Sequence, residues 1–302
     1  MSNKSLLIVA SLAYDGIETS EQKVDRTLGG AGSFICLSVK HFECNSSIVS
    51  VVGNDFHNED LELLRSCCVD ISGIEIIKDD KTFYWSCIYK NNFKDRITTK
   101  TELNVMANFN PIISKSNSTP DILLLGNLHP EIQLNSIKQI KKKPELIILD
   151  TMNYWIENFW DTLKEVINNS DLISINDEES EMITGEKDLQ KAARALHNMG
   201  PKFVIIKKAA DGAELFNFDN QFKSNAFKVA KVVDPTGAGD CFIGGIAGYL
   251  TQSDEISFDT IKSAIAYGTS IASYNVENMG TKNLLHLSID DIKTRTNKLK
   301  SE

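Results

Sequence analysis

Four short, unbroken apolar runs constrain this chain more than any other feature: Leu123-Leu124-Leu125-Gly126, Leu146-Ile147-Ile148-Leu149, Leu172-Ile173-Ser174-Ile175 and Phe203-Val204-Ile205-Ile206. A strand wetted on one face alternates apolar with polar residues. An unbroken run therefore reads as a strand buried on both faces, the kind a parallel sheet needs. Stretches of helical period lie between the runs. Leu189, Ala192, Ala193 and Leu196 share a face within Asp188 to Met199, and Ile261, Ala264, Ile265, Gly268, Ile271 and Ala272 share one within Ser257 to Tyr274. This alternation predicts an α/β fold with helices on both sides of a central, mainly parallel sheet. A length of 302 residues is near the limit for one core, so one large domain with a small appendage is expected. Leu6 to Ala10, after Lys4, imitates a secretory leader, but the run is short even for that, and it is read as a buried first strand.

Two segments break the alternation. Thr82 to Tyr89, Asn91-Asn92 and then Arg96 to Thr99 read as strand, turn and strand, rich in aromatic and β-branched residues. The other is Asp15 to Arg26. An edge hairpin and a small sheet covering a site account for them equally well. The aromatics Phe83, Tyr84, Trp85 and Tyr89 are expected to be exposed.

The chemistry concentrates in Asp234-Pro235-Thr236-Gly237-Ala238-Gly239-Asp240, followed by Cys241-Phe242-Ile243-Gly244-Gly245. A Pro-initiated, glycine-flanked turn entering a helix presents unpaired N–H groups and the positive end of the helix dipole, which together bind anions. A carboxylate in the same turn can take the proton of a hydroxyl brought beside a bound phosphate. The alternative is a plain capped turn. Gly244, Gly245 and Gly248 each cost about 1 kcal/mol relative to Ala within a helix, which argues for close approach by a ligand or a neighbouring backbone.

Further candidates stand at strand ends. Asn176-Asp177-Glu178-Glu179 offers hard oxygen ligands suited to a water-rich Mg²⁺, or else ordinary helix capping. Asp150, Asn153 and Asn127 follow two of the apolar runs, where open α/β sheets bind ligands, although such residues often just satisfy a turn. Lys207, after the last run, is either a phosphate partner or a solvated lysine.

The 234–245 run strongly resembles the second signature of the ribokinase-like (PfkB) carbohydrate kinase family, and the likeness extends over nearly the whole chain. Gly29-Gly30-Ala31-Gly32-Ser33, continuing to Val52-Gly53-Asn54-Asp55-Phe56, stands at the place of the first signature. The resemblance implies a three-layer ribokinase-like fold, one domain spanning 1–302, with β lid segments near 12–30 and 80–105. It implies Asp240 as general base, with no raised pKa required, and the amides of Gly237, Ala238 and Gly239 as an anion hole. It places Asp15, Gly29 and Gly30 at the sugar site, and Thr236, Asn176, Lys207, Asn275 and Gly280 on the ATP side. Glu179 would orient Mg²⁺, and Asp234 would serve a monovalent cation such as K⁺ where one is used. The lid implies a homodimer. Two positions depart from the family: Phe34 replaces a common Asn that helps bind sugar, and Ala209 stands where Gly is commoner.

The expected activity is therefore ATP-dependent phosphorylation of a hydroxyl on a sugar or sugar-derived molecule. A nucleoside acceptor, and a non-catalytic nucleotide or sugar sensor on the same fold, are the alternatives. Retention of Asp240 weighs against the sensor. No Walker A sequence occurs, which excludes a P-loop enzyme. A net charge of −9 argues against nucleic acid or anionic membrane as a partner. Six cysteines without a CxxC pair suggest neither a structural zinc nor disulfides, so a reduced, cytoplasmic protein is expected.

Overall fold

A computed structural model describes residues 3–67, 70–93 and 95–301. In chain order the strands are β1 (Leu6–Val9), β2 (Ala13–Glu18), β3 (Lys23–Gly29), β4 (Ser46–Gly53), β5 (Asp70–Ile77), β6 (Phe83–Lys90), β7 (Asp95–Glu102), β8 (Ile122–Leu125), β9 (Leu146–Asp150), β10 (Leu172–Asn176), β11 (Phe203–Lys207), β12 (Ala213–Phe216) and β13 (Gln221–Ser224). The helices are α1 (Ala31–Val39), α2 (Asn58–Cys67), α3 (Pro130–Gln139), α4 (Asn153–Asn158), α5 (Trp160–Asn168), α6 (Asp177–Thr184), α7 (Leu189–His197), α8 (Ala238–Thr251), α9 (Phe258–Asn275), α10 (Lys282–His286) and α11 (Ile289–Ser301).

Nine strands form the large sheet in the order β13-β12-β11-β10-β9-β8-β1-β4-β5. All pairings from β11 to β5 are parallel, and only β12 and β13 run antiparallel at one edge. The apolar runs are its central strands, and their side chains divide between two cores. Ile8, Leu124, Ile148, Leu172 and Ile205 pack with α1, α8 and α9 on one face. Val9, Leu125, Leu149, Ile173 and Ile206 pack with α3, α5 and α7 on the other. Burial on both faces is why these strands show no alternation. The first run, Leu6 to Val9, is a fully buried strand in mid-sheet. Among the described residues no helix is long and apolar enough to cross a membrane.

The two segments that broke the pattern combine into a second sheet of four strands, β3-β2-β6-β7. Its aromatics are not exposed as expected. Tyr89 is only 8% accessible and Phe83, Tyr84 and Trp85 are half-buried: Phe83, Trp85 and Tyr89 share the inward face of β6, and Tyr84 is covered on the alternate face. Phe83 packs on the second core, Tyr84 donates to the Asp25 carbonyl at 2.9 Å, and Trp85 joins Ile17, Cys87, Tyr89 and Met279 in a cluster between sheet and body.

Candidate active site

The parallel strands β9, β10 and β11 end together. Their registers align Asp150 with Ser174, and Asn176 with Lys207. Lys207 Nζ lies 3.1 Å from Asp150 Oδ1. Burial, the largest single effect, works against its charge, but Asp150, Glu179 and Asp240 together hold its pKa above the usual lysine value. A buried cation persists when carboxylates face it. The solvated-lysine reading of Lys207 is thereby overturned.

Above these ends sits the turn into α8. Gly237, at φ +75, makes the left-handed step into the helix that a side chain would resist. A Cβ there would also meet the Phe34 ring at 2.4 Å. Phe34, in place of the family's Asn, is thus a buried support directly behind the turn. Asp234 ties the turn down, accepting the Thr236 N–H at 2.9 Å on Oδ1 and the Gly280 N–H at 2.8 Å on Oδ2. Asn275, at the end of α9, donates Nδ2 to the Thr236 carbonyl at 2.7 Å. The small sheet reaches the same residue, with Tyr89 Oη and Thr236 Oγ1 3.0 Å apart. Asp234, Thr236, Asn275 and Gly280 are thus brought together as the scaffold of the turn.

The front of the turn is open. A Cβ built on Gly239 would meet only Lys207 Nζ, at 3.4 Å. Asp240, one residue on, has its Oδ1 sealed from solvent with no hydrogen-bond partner. Burial first, and then the negative charges of Asp150 and Asp15, push its pKa up to about 8, against the opposing Lys207 cation and its own backbone N–H. The helix start does not keep this carboxyl in the ordinary range. Its first-turn dipole, worth well under the desolvation of a sealed oxygen, is outweighed.

Asp15, 4% exposed, approaches from β2 in the small sheet. Its carboxylate fills the space where Gly29 would carry a Cβ, 2.2 Å from that position. Burial raises it to about 7, and Asp234 adds to the rise while the Gly30 N–H opposes it. Gly30 itself turns at φ +78 to start α1. Asp15 also raises Asp240, so the two carboxyls share one site.

Asn176 and Glu179 form a reciprocal capping box at α6, with Asn176 Oδ1 accepting from Glu179 N at 2.7 Å and Glu179 Oε2 from Asn176 N at 2.8 Å. The capping reading of this run is therefore correct in geometry. Glu179 is nonetheless buried, and burial lifts its pKa to about 7, which is unlike an exposed cap. Among the described residues no three His, Cys, Asp or Glu side chains gather to hold a metal unaided. That donor set fits a cation such as Mg²⁺, held by few protein ligands plus water and phosphate. Asp234 is different: each of its oxygens accepts one backbone amide, which leaves further lone pairs on both.

Asn127 and Asn153 do not join the cluster. Asn127 Oδ1 accepts the Trp155 indole N–H at 2.8 Å. Asn153 is exposed at the start of α4, bonded to the Tyr154 N–H. Sequence reasoning missed the Asp150–Lys207 pair, the Tyr89 contact on Thr236, and Arg96. Arg96 stands opposite Tyr89 in the β6–β7 register. Cross-strand register was the only signal that could have found it.

The pfkB family carbohydrate kinase model matches residues 4–287. A cytidine kinase of Thermococcus kodakarensis is 28% identical over 250 residues, covering 81% of this chain and 88% of its own length. An ATP-dependent 6-phosphofructokinase of Thermoanaerobacterium thermosaccharolyticum is 26% identical over 277 residues, 83% of this chain and 80% of its own. The crystal structure of the Methanocaldococcus jannaschii nucleoside kinase, an archaeal member of the ribokinase family, superposes with a TM-score of 0.79 over 98% of this chain and 99% of that one, at 20% identity, which bears on the fold alone. The match over nearly the full length decides membership: this chain belongs to the pfkB family of carbohydrate kinases, and is a sugar or nucleoside kinase.

Proposed function

We propose that this kinase moves the γ-phosphoryl group of ATP to a hydroxyl held between the small sheet and α8, with Asp240 as general base and the Gly237, Ala238 and Gly239 amides as anion hole. The observation that carries this reading is the half-buried Asp240 carboxylate, whose Oδ1 has no hydrogen-bond partner, beside the open space at Gly239. An acceptor hydroxyl in that space donates to the half-buried Asp240 carboxylate and passes its proton there as its oxygen attacks phosphorus. The bond from phosphorus to the ADP oxygen breaks in line. A pKa near 8 brings the base close to the operating pH, where proton transfer is most effective. The helix-start amides take up charge on the phosphoryl oxygens, and fixed dipoles of this kind do most to lower the barrier of such a transfer. Thr236, Asn275 and Gly280 keep the turn in place, and Lys207 neutralises phosphate from the strand side. Asp15, approached closely because Gly29 and Gly30 lack side chains, accepts two acceptor hydroxyls. Mg²⁺, when bound with the nucleotide, would neutralise phosphate charge, held near Glu179 and Asn176 largely through water. The small sheet acts as the lid, and Tyr89 on Thr236 latches it to the turn and excludes water.

A nucleoside acceptor has the better support. Trp85 is the β2–β6 register partner of Asp15, which sets a stacking surface beside the carboxylate proposed to hold a ribose. Phe34 removes the amide through which the family's sugar kinases read a sugar. The cytidine kinase relative agrees. A coupled ADP-release assay over nucleosides, sugars and sugar acids tests both levels, with Asp240→Asn as the blank. Turnover is expected with nucleosides, and Asp240→Asn should lose roughly 10²–10⁴-fold in kcat, the usual worth of a general base. Near wild-type turnover in Asp240→Asn would remove the assigned base. Preference for free sugars would reverse the acceptor class.

A further inference from the structure

The acids of the site outnumber its cations. Asp150, Glu179 and Asp240 face one lysine, Lys207, whose charge is shared with Asp150 at 3.1 Å, and Asp15 adds a further acid acting on Asp240. A polyphosphate entering such a pocket needs more positive charge than this body provides.

Arg96 is the cation in position to supply it. It lies on β7, directly opposite Tyr89 on β6, and opposed residues of an antiparallel pair project from the same face. Tyr89 fixes which face that is, since its hydroxyl meets Thr236 in the catalytic turn at 3.0 Å. From there the Arg96 side chain runs back along the sheet until its Cζ stands 5.6 Å from the Trp85 ring centroid. It makes no ion pair with any described residue and is held by the indole face alone, an attraction weaker than a carboxylate's. Its positive charge is nevertheless felt across the gap by Glu179 on the strand side, and by Cys87 and Tyr89 beneath it. A guanidinium that is weakly hydrated, always charged and free of a carboxylate is well disposed to take two oxygens of a phosphoryl group.

We propose that Arg96 is a phosphoryl-binding catalytic residue carried by the small sheet, meeting the transferred group from the side opposite the Gly237–Gly239 amides. In the step, the bond from phosphorus to the ADP oxygen breaks and the bond to the acceptor oxygen forms. The acceptor's proton goes to Asp240, and Arg96 keeps its own protons throughout. Because this cation rides on the sheet, full transition-state stabilisation exists only with the sheet down. Closure and chemistry are thereby coupled, which suppresses transfer to water when no acceptor holds the sheet in place. The proposal rests on the phosphotransfer reading above.

The test compares Arg96→Ala, Arg96→Lys, Lys100→Ala (an exposed lysine on the same strand) and Asp240→Asn in one ADP-release assay with the best nucleoside or sugar acceptor. Arg96→Ala is expected to lose roughly ten- to hundredfold in kcat, in line with loss of one charged phosphoryl contact, with the acceptor KM changed less than about threefold. Arg96→Lys should recover part of the loss. Added guanidinium chloride should rescue Arg96→Ala, where equal sodium chloride does not, a readout that a merely structural role would not move. Lys100→Ala should match wild type, and melting curves of the two Arg96 variants and Lys100→Ala should coincide with that of wild type within a few degrees. A kcat for Arg96→Ala within about twofold of wild type, or a loss confined to the acceptor KM, would overturn the proposal. An active Asp240→Asn would instead overturn the base assignment, so the two failures are distinguishable.

Discussion

Asp240 stands where two opposed effects meet, and its neighbours decide between them. The helix start and its own N–H favour the carboxylate, while burial and the charges of Asp150 and Asp15 disfavour it, and the balance lies near 8. A base, the role proposed for Asp240, works only when ionised, so acceptor kcat/KM should fall as pH drops through that value. Changing the neighbours should move the limb in opposite directions. Asp150→Asn removes a negative charge and frees Lys207 to face Asp240, so the limb should shift down by about one pH unit. Lys207→Met removes the side-chain cation that opposes the rise, so the limb should shift up by a similar amount, about one unit. Profiles of kcat/KM at saturating ATP check both, and parallel shifts of the same sign would contradict the charge account. The location of this carboxyl was legible in the sequence because a seven-residue turn carries it. Its pKa was not, because Asp150, Lys207 and Asp15 come from β9, β11 and β2, and only the register of the large sheet and the packing of the small one against it bring them within range.

At the scale of elements, the helix that bears the site is held by glycines whose cost in the sequence pointed to close approach. The approach is made by neighbouring backbone and side chains. A Cβ on Gly244 would meet Ile35 Cα at 3.0 Å, one on Gly245 would meet Gly268 Cα at 2.9 Å, and one on Gly248 would meet the Phe42 ring at 2.3 Å. Helix α8 thus lies in contact with α1 on one side and α9 on another. The apolar face of α9 was evident from its period, and Gly268 was part of it. That Gly268 faces Gly245 was not, since a helix's partner is a long-range choice that periodicity does not encode. A Cβ on Gly268 would come 2.4 Å from the Phe242 carbonyl oxygen, which a backbone atom cannot yield without moving the helix. Gly268→Val should therefore destabilise the fold by about 2–4 kcal/mol, since overpacking that displaces backbone lies at the costly end. Urea unfolding measures this. An unchanged midpoint would show that α8 and α9 can separate freely, which the close contact of Gly245 with Gly268 should not permit.

For the whole molecule, the site is a cost to stability that depends on pH. Asp15 and Glu179 near 7, and Asp240 near 8, are all raised by burial first. A carboxyl whose folded pKa exceeds its unfolded value holds its proton more tightly when folded. Its contribution is fully favourable below the unfolded value near 4, and is lost as pH rises through the folded value. Between those limits the unfolded chain ionises freely while the folded site does not, so the wild type should lose stability progressively from about pH 4 to pH 8. Asp240→Asn deletes one of the three carboxyls without removing its shape. Its melting temperature relative to wild type should rise steadily across that window and level off above about pH 8, once Asp240 is ionised in both states. Thermal melts at closely spaced pH values read this directly. A difference that stayed constant from acid to alkali would mean that Asp240 titrates alike in the folded and unfolded chain, and that its burial does not raise its pKa.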